Sequence, residues 1–220
     1  MKIAVDGPAG AGKSTVAKLV AKEMNINYID TGAMYRAVAY GMIDAGIDVS
    51  DRLAVRNAVK DVDVSVEYQD GQQKVFVNGD DVTGKIRTPE ISAGASAVAV
   101  EPEVRLKLVD IQRRLAEKYD VIMDGRDIGT YVLPDADLKL FITASPRARA
   151  LRRLKDFNEA GIAQTVEEIE ADIMKRDRQD SEREFAPLRQ AEDAILMDTT
   201  EMTVEQVIAA VKSKIREVRA

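Results

Sequence analysis

Residues 7–14 constrain the fold of this chain more than any other segment. They read Gly-Pro-Ala-Gly-Ala-Gly-Lys-Ser and match the phosphate-loop pattern G-x-x-x-x-G-K-[ST] at every position. The motif lies between a strand-like apolar run, Ile3–Asp6, and a helical pattern over Lys13–Met24. Glycines allow the backbone to wrap phosphates, and the N-terminus of the helix offers them its N–H groups. The motif therefore predicts a nucleotide-binding α/β domain.

The chemistry of the motif predicts ATP as the nucleotide and Mg²⁺ as its metal. Lys13 supplies a compact positive charge for the β- and γ-phosphates, and the Ser14 hydroxyl can bind the metal. Asp124 ends a second apolar run, Val121–Asp124, where we expect a carboxylate that reaches the same metal directly or through water. We expect the nucleotide to be bound by Gly7, Pro8, Ala9, Gly10, Ala11, Gly12, Lys13, Ser14 and Thr15.

Composition excludes several classes of chemistry. The chain of 220 residues contains no Cys and no His, which excludes disulfides, thiolate metal sites, His-ligated zinc and histidine acid–base relays. The net charge of −6 argues against a general nucleic-acid binder, so any anion site must come from local arginine clusters. No apolar run approaches the roughly 20 residues of a membrane span. We expect a cytoplasmic monomer that binds neither nucleic acid nor membrane.

Short apolar runs alternate with helical patterns along the chain, which is typical of a parallel sheet covered by helices on both faces. Residues 62–87 break this rhythm. Valines alternate with polar residues there, and the dipeptides Asp70-Gly71 and Asn78-Gly79 predict the turns of an antiparallel meander. We expect one domain over residues 1–220 with this meander as an insert, which is either a surface excursion or a flap that helps to enclose a substrate.

Arginines at several separate places indicate a kinase that gathers two polyanions. No Asn-Lys-x-Asp guanine signature is present, and the chain is short for a motor ATPase. Arg126 and Asp127 follow the strand that ends at Asp124, at the sheet edge where open α/β sheets bind ligands. The segment Asp30–Arg36 follows another strand, and its Asp30 and Thr31 are either helix-start residues, acceptor ligands or both.

Residues 145–165 are expected to form a helical lid. Ser145-Pro146 is a helix start, and the arginines that follow form either a solvated basic face or a lid that closes over the transferring phosphoryl group. These arginines are Arg147, Arg149, Arg152 and Arg153. Further along, Arg176, Asp180 and Arg183 can line one face of the next helix, either as an ion-pair ladder or as substrate ligands.

With these residues laid out, the chain closely resembles the bacterial cytidylate kinase family over its whole length. The resemblance rests on Gly7–Thr15, Asp30–Arg36, the meander, Gly125–Thr130 and Arg176–Arg183, and on a stretch from Ser96 to Arg113 that is similar to the family's base-recognition segment. Where the family has a serine after the aspartate of the acceptor segment, this chain has Thr31, which keeps the hydroxyl.

The resemblance implies a P-loop kinase core with a small antiparallel insert on the acceptor side and a helical lid. It implies phosphoryl transfer from ATP to CMP or dCMP, with Ser96, Arg105 and Asp127 facing the cytosine. Catalysis is expected from Lys13, Arg36 and Arg126. The expected acceptor ligands are Asp30, Thr31, Tyr35, Arg36, Ser96, Arg105, Arg126, Asp127, Arg176, Asp180 and Arg183.

The cytosine assignment agrees with hydrogen-bonding chemistry, because a carboxylate accepts from the N4 amino group and uracil carries an oxygen there. The alternatives are another small-molecule kinase, of UMP or shikimate type, and a nucleotide-dependent switch protein.

Overall fold

The computed structural model describes residues 1–69, 72–159 and 161–219. Within them the strands are β1 Lys2–Asp6, β2 Asn27–Asp30, β3 Val64–Gln69, β4 Gln72–Val77, β5 Asp80–Asp81, β6 Val121–Asp124, β7 Leu138–Thr143 and β8 Ile195–Asp198. The α-helices are α1 Lys13–Met24, α2 Thr31–Asp44, α3 Arg52–Ala58, α4 Pro89–Val98, α5 Pro102–Lys118, α6 Pro146–Glu159, α7 Val166–Glu182 and α8 Val204–Arg219. None of the helices in these ranges has the length and hydropathy needed to cross a bilayer.

The chain forms two compact units, one from Met1–Ile26 with Ile122–Ala220 and the other from Asn27–Val121. In the first unit, strands lie side by side in the order β6-β1-β7-β8. β1 runs parallel to β7, and β7 runs parallel to β8. Most residues of β1, β6 and β7 are buried, as expected for apolar runs covered on two sides. The predicted parallel core is therefore confirmed.

Helix α8 of the first unit starts with a capping box. The backbone N–H of Thr203 donates to the side chain of Gln206, whose own N–H donates to the Thr203 hydroxyl. Val207, Val211 and Ile215 form its buried stripe. The helix packs on α1 and β7.

The predicted lid region is helical, with α6 over most of it and α7 starting just after it. Ala150 of α6 and Ile169 and Ile173 of α7 form a small buried apolar cluster. A second capping box, between Thr165 and Glu168, starts α7. The helix ends at Glu182, so Arg183 lies just beyond it with an extended backbone.

The second unit contains the antiparallel meander β3-β4-β5, which confirms the predicted insert, with strands over part of residues 62–87. In β3 and β4, Val64 lies opposite Val77 and Val66 opposite Val75. Asn78 and Gly79 both have positive φ, 51° and 88°, as the type I′ turn of a two-residue hairpin requires. The other predicted turn, Asp70-Gly71, lies outside the described residues.

Helix α2 packs against this meander and against α4. It starts at Thr31, because the Asp30 carboxylate caps it by accepting from the N–H of Ala33. Gly41 of α2 faces the meander directly. A Cβ at this position would lie 2.8 Å from a methyl carbon of Val62 and 2.8 Å from one of Val77.

We expect Gly41→Ala to lower the free energy of unfolding by about 1–2 kcal/mol. Overpacking costs about 1–3 kcal/mol, and the better helix propensity of alanine returns up to about 1 kcal/mol. Urea unfolding measures the change. Gly84→Ala is the matched control, because nothing lies within 4 Å of its added Cβ. Equal stability of the two variants would contradict the packing of α2 on the meander.

Candidate functional site

The phosphate loop starts with a backbone approach that only glycine permits. Gly7 directly follows β1 with φ of 142°, and a Cβ there would lie 1.9 Å from the carbonyl oxygen of Ile142 in β7. At the other end of the loop, Gly12 has φ of 84° and leads into α1 without a side-chain cap. The first N–H groups of α1 therefore lack a side-chain cap from Gly12 and can accept an anion, while the binding of nucleotide phosphates there stays a prediction.

The lysine of the motif is buried within its own loop. Lys13 is 4% exposed, and its Nζ donates to the carbonyl oxygen of Pro8 at 2.7 Å. Burial and the nearby guanidinium of Arg126 lower the pKa of Lys13, and the carboxylates of Asp124 and Asp6 oppose this shift. The negative charge of a bound phosphate acts in the same direction as these carboxylates and favours the ammonium form.

The serine of the motif and the acid at the end of β6 lie in direct contact. The Ser14 hydroxyl donates to Asp124 Oδ2 at 2.6 Å, and Ser14 is exposed whereas Asp124 is buried. The described residues contain no cluster of three acidic side chains suited to a metal. One hydroxyl and one carboxylate fit Mg²⁺, which retains several waters and phosphate oxygens as ligands.

The segment Gly125–Thr130, here called the β6 loop, carries two charged side chains, each paired with a residue of opposite charge. Arg126 Nε donates to Asp180 Oδ2 at 2.7 Å, and a guanidinium nitrogen of Arg183 lies 3.1 Å from Asp127 Oδ1. The sequence offered a ladder along α7 as one explanation of Asp180 and Arg183. The structure differs, because both residues reach across to the β6 loop and Arg183 lies beyond the end of the helix.

A buried carboxylate that the sequence did not single out holds this loop. Asp6 is 5% exposed, and its two oxygens accept from the N–H groups of Ile128 at 2.8 Å and Gly129 at 2.7 Å. Burial raises the pKa of Asp6 to about 6, although the two amides oppose the shift. The sequence feature that could have indicated this role is an acidic residue at the end of an apolar strand.

The lid arginines occupy different environments. Arg149 is 3% exposed; it donates to the carbonyls of Ala144 and Ala9 and pairs with Asp177. Asp177 also accepts from the N–H of Ala9, so this pair contacts the phosphate-loop backbone directly.

The other three lid arginines lie nearer the surface. Arg147 pairs with Glu167 and Glu170 of α7. Arg152 donates to Thr199, and Arg153 lies over the ring of Phe157 at 5.0 Å. Contact of any lid arginine with a phosphoryl group stays a prediction, as does a ligand role for Arg176, which is exposed on α7.

In the second unit, Asp30 organises the predicted acceptor segment. Its Oδ2 accepts from Arg36 at 2.9 Å and from Arg87 at 3.2 Å, while Oδ1 caps α2. The side chain of Gln73, on β4 of the insert, bonds to the main-chain N–H and carbonyl of Asp30. Asp30 caps α2, and Thr31 is its first residue and is buried, so both are helix-start residues, and a ligand role for either stays a prediction.

The predicted base-binding residues of this unit are also placed. Arg105 is 1% exposed, and its guanidinium carbon lies 5.5 Å from the centre of the Tyr35 ring. The Ser96 hydroxyl donates weakly to the carbonyl of Ser92 one turn earlier in α4, at 3.4 Å. The sequence did not indicate that Gln73 and Arg87 contact Asp30 of the acceptor segment. Both are ordinary polar residues, one in a strand and one in a loop.

Comparison with known proteins gives a consistent result. Residues 3–217 match the family model described as cytidylate kinase. A cytidylate kinase of Lactobacillus johnsonii is 50% identical over 217 residues, covering 99% of this chain and 94% of the relative. One of Clostridioides difficile is 50% identical over 213 residues, covering 97% of each. A solved structure of an uncharacterised protein from Eubacterium ventriosum has a TM-score of 0.56 at 15% identity, covering 99% of this chain and 98% of that one, and indicates the fold alone.

The raised pKa of Asp6 predicts a stability change with pH. The native carboxyl holds its proton up to about pH 6, whereas in the unfolded chain it gives up the proton near 3.8. Its stabilising contribution is therefore complete only well below pH 3.8 and declines as the pH rises through 6, by about 3 kcal/mol in total. The difference in unfolding free energy between the wild type and Asp6→Asn, from urea titrations, should change by most of this amount between pH 4 and 7. A difference that stays constant over this range would contradict the prediction.

Proposed function

Because this chain belongs to the cytidylate kinase family, we propose that it transfers the γ-phosphoryl group of ATP to CMP, giving CDP and ADP. The observation that carries the proposal is the arrangement of the first unit. A complete phosphate loop lies beside the β6 loop, which presents one arginine and one aspartate held by ion pairs. A phosphate-loop protein that only switches or hydrolyses nucleotide has no need for these groups.

The donor is held by the phosphate loop. The amides that follow Gly7 and the first turn of α1 bind the phosphates of ATP, and Lys13 neutralises charge on the β- and γ-phosphates. Arg149 and Asp177 hold the Ala9 backbone of the loop from the lid side.

Ser14 and Asp124 would hold Mg²⁺, Asp124 directly or through water, and the bound metal would neutralise charge on the phosphate oxygens.

The carboxylate of Asp127 accepts from the N4 amino group of cytosine, and Ser96 and Arg105 of the second unit donate to the ring acceptors. Uracil would leave the carboxylate opposite an oxygen. Because an unpaired buried polar group costs about 1–3 kcal/mol, this contact accounts for a preference for CMP over UMP of roughly ten- to several-hundred-fold. The cytosine contacts are the same for dCMP, which we also expect to be a substrate.

Arg36 and Arg126 bind the acceptor phosphate. The Nε of Arg36 is buried without a hydrogen-bond partner among the described residues, while its other end is fixed by Asp30. The guanidinium is therefore oriented in advance and keeps a donor for a ligand. We assign contacts with the acceptor's sugar and phosphate to Arg176, Asp180 and Arg183, and assign Thr31 and Tyr35 to the same site.

Transfer needs no general base, because the attacking phosphate oxygen of CMP is already ionised. The residues act by alignment and charge neutralisation, with Lys13, Arg36 and Arg126 carrying the catalysis and the lid arginines closing over the phosphates. The absence of histidine from the sequence therefore imposes no penalty on this reaction. We also propose that the protein works as a cytoplasmic monomer without nucleic-acid or membrane partners.

A coupled assay for ADP release tests the function. ATP is supplied with CMP, dCMP, UMP or AMP in turn, and with shikimate as a hydroxyl acceptor. We expect CMP or dCMP to be the best acceptor. A faster rate with UMP or AMP would refute the base assignment, turnover of shikimate would indicate a hydroxyl kinase, and ADP release independent of any acceptor would indicate a switch protein.

We expect Asp127→Ala to reduce the ratio of kcat/KM for CMP to that for UMP by at least about tenfold, because it removes the acceptor for N4. Asp172→Ala, an exposed substitution on α7, is the matched control and should leave the ratio unchanged. Lys13→Ala should abolish turnover with both bases. Equal losses for CMP and UMP in Asp127→Ala would make Asp127 a phosphate- or metal-site residue.

We expect Ser14→Ala to raise the Mg²⁺ concentration for half-maximal rate by about tenfold or more, since it removes a hydroxyl ligand and the hydrogen bond that this hydroxyl donates to Asp124. Magnesium titrations at saturating ATP and CMP measure the shift. Ser213→Ala, on the exposed face of α8, is the control. An unchanged magnesium requirement would remove Ser14 from the metal site.

A further inference from the structure

We infer that Asp6 is a positioning residue for base recognition, because its carboxylate fixes the backbone of the β6 loop and thereby directs Arg126 and Asp127. This inference rests on the proposed CMP kinase function. Asp6 itself lies in β1, ahead of the nucleotide motif, and nothing in the motif chemistry requires an acid there.

The carboxyl end of β1 holds the β6 loop at two points. The carbonyl of Val5 accepts from the N–H of Gly125 at 3.0 Å, at the start of the loop. The carboxylate of the next residue, Asp6, accepts from Ile128 and Gly129, close to its end. Arg126 and Asp127 are the two residues between these anchors. Movement of the second anchor therefore changes where both side chains point.

The contact between Asp6 and Gly129 is close because Gly129 has no side chain. A Cβ on Gly129 would lie 3.4 Å from Asp6 Oδ2 and 3.1 Å from Cδ of Lys139. The N–H of Gly129 can therefore approach the carboxylate to 2.7 Å. Gly129→Ala crowds this approach against the flexible end of a lysine, so the variant can fold while the anchor shifts.

Burying the carboxylate of Asp6 costs free energy, which indicates that it has a specific role. A buried carboxylate is stable only when it is well hydrogen-bonded, and an apolar residue would finish a buried strand at lower cost. Asp6 also interacts electrostatically with Asp127 of the β6 loop and with Lys13 of the phosphate loop. It directly precedes Gly7, so one strand end positions both the donor loop and the acceptor-binding loop.

The ion pairs of the β6 loop do not replace this anchor. Asp180 and Arg183 hold the side chains of Arg126 and Asp127 from the α7 side, whereas Asp6 holds the main chain. Loss of Asp6 leaves the charges present but less well placed. A misplacement of about 1 Å can cost roughly a hundredfold in rate. The loss should therefore fall on the acceptor, with KM for ATP little changed.

The test compares Asp6→Asn, Gly129→Ala and a matched control, Glu101→Gln. Glu101 is also a fully buried carboxylate with two donors, Arg52 and Arg56, but it belongs to α3 and α5 packing in the second unit. The Glu101→Gln variant therefore shows the effect of losing a buried carboxylate that does not contact the β6 loop. All proteins are assayed well below their unfolding temperatures, with steady-state kinetics for CMP, UMP and ATP and with hydrogen exchange of peptides covering residues 125–132.

We expect both Asp6→Asn and Gly129→Ala to lower the CMP-to-UMP ratio of kcat/KM by about threefold to tenfold or more, with KM for ATP changed less than about twofold. Amide hydrogen exchange in residues 125–132 should become about tenfold faster in Asp6→Asn, as expected for the loss of one hydrogen bond. In Glu101→Gln the exchange rate of these residues should equal that of the wild type.

An Asp6→Asn protein that keeps the wild-type base preference, or the wild-type exchange of residues 125–132, would overturn the inference and leave Asp6 a structural residue. If Asp6→Asn does not fold, Gly129→Ala decides the question by the same two measurements. A wild-type protein that fails to phosphorylate CMP would refute the proposed function instead, and the exchange data would still show whether Asp6 fixes the loop.

Discussion

One strand end, the carboxyl end of β1, holds the phosphate loop and the β6 loop in place together. β1 lies between β6 and β7, so its last residues touch the elements on both sides. On the β7 side, Gly7 rests against the Ile142 backbone, where no Cβ would fit. On the β6 side, the carboxylate of Asp6 accepts two amides of the β6 loop. These two contacts fix the start of the phosphate loop and the end of the β6 loop relative to the same strand.

The charged residues are arranged as cations fixed by carboxylates. Arg126 is held by Asp180, Arg149 by Asp177, and in the second unit Arg36 by Asp30. Such pairs fix the direction of each guanidinium before a ligand binds, which is the condition for efficient electrostatic stabilisation of a transferring phosphoryl group. The chain as a whole is acidic, with a net charge of −6, so the polyanion binding that we propose depends on the local placement of these arginines.

The sequence predicted the elements whose determinants are local. The motif at residues 7–14 requires a strand, a loop and a helix, and alternation with Asn78-Gly79 requires a hairpin. It did not predict Asp6, Gln73 or Arg87, because their partners are distant in the chain and only tertiary structure brings them together. The ion pair of Arg183 with Asp127 was hidden for a similar reason, since α7 ends one residue before Arg183 and the helical periodicity no longer applies.

The most direct test of phosphoryl transfer to a nucleoside monophosphate is a ³¹P NMR spectrum of the protein with ATP, Mg²⁺ and CMP. We expect the γ-phosphate signal to be replaced by that of the β-phosphate of CDP, with ADP formed in equal amount and little inorganic phosphate. No change should occur when CMP is omitted. Release of inorganic phosphate without CDP would contradict phosphoryl transfer to the nucleotide and would make the protein a nucleotide hydrolase or switch.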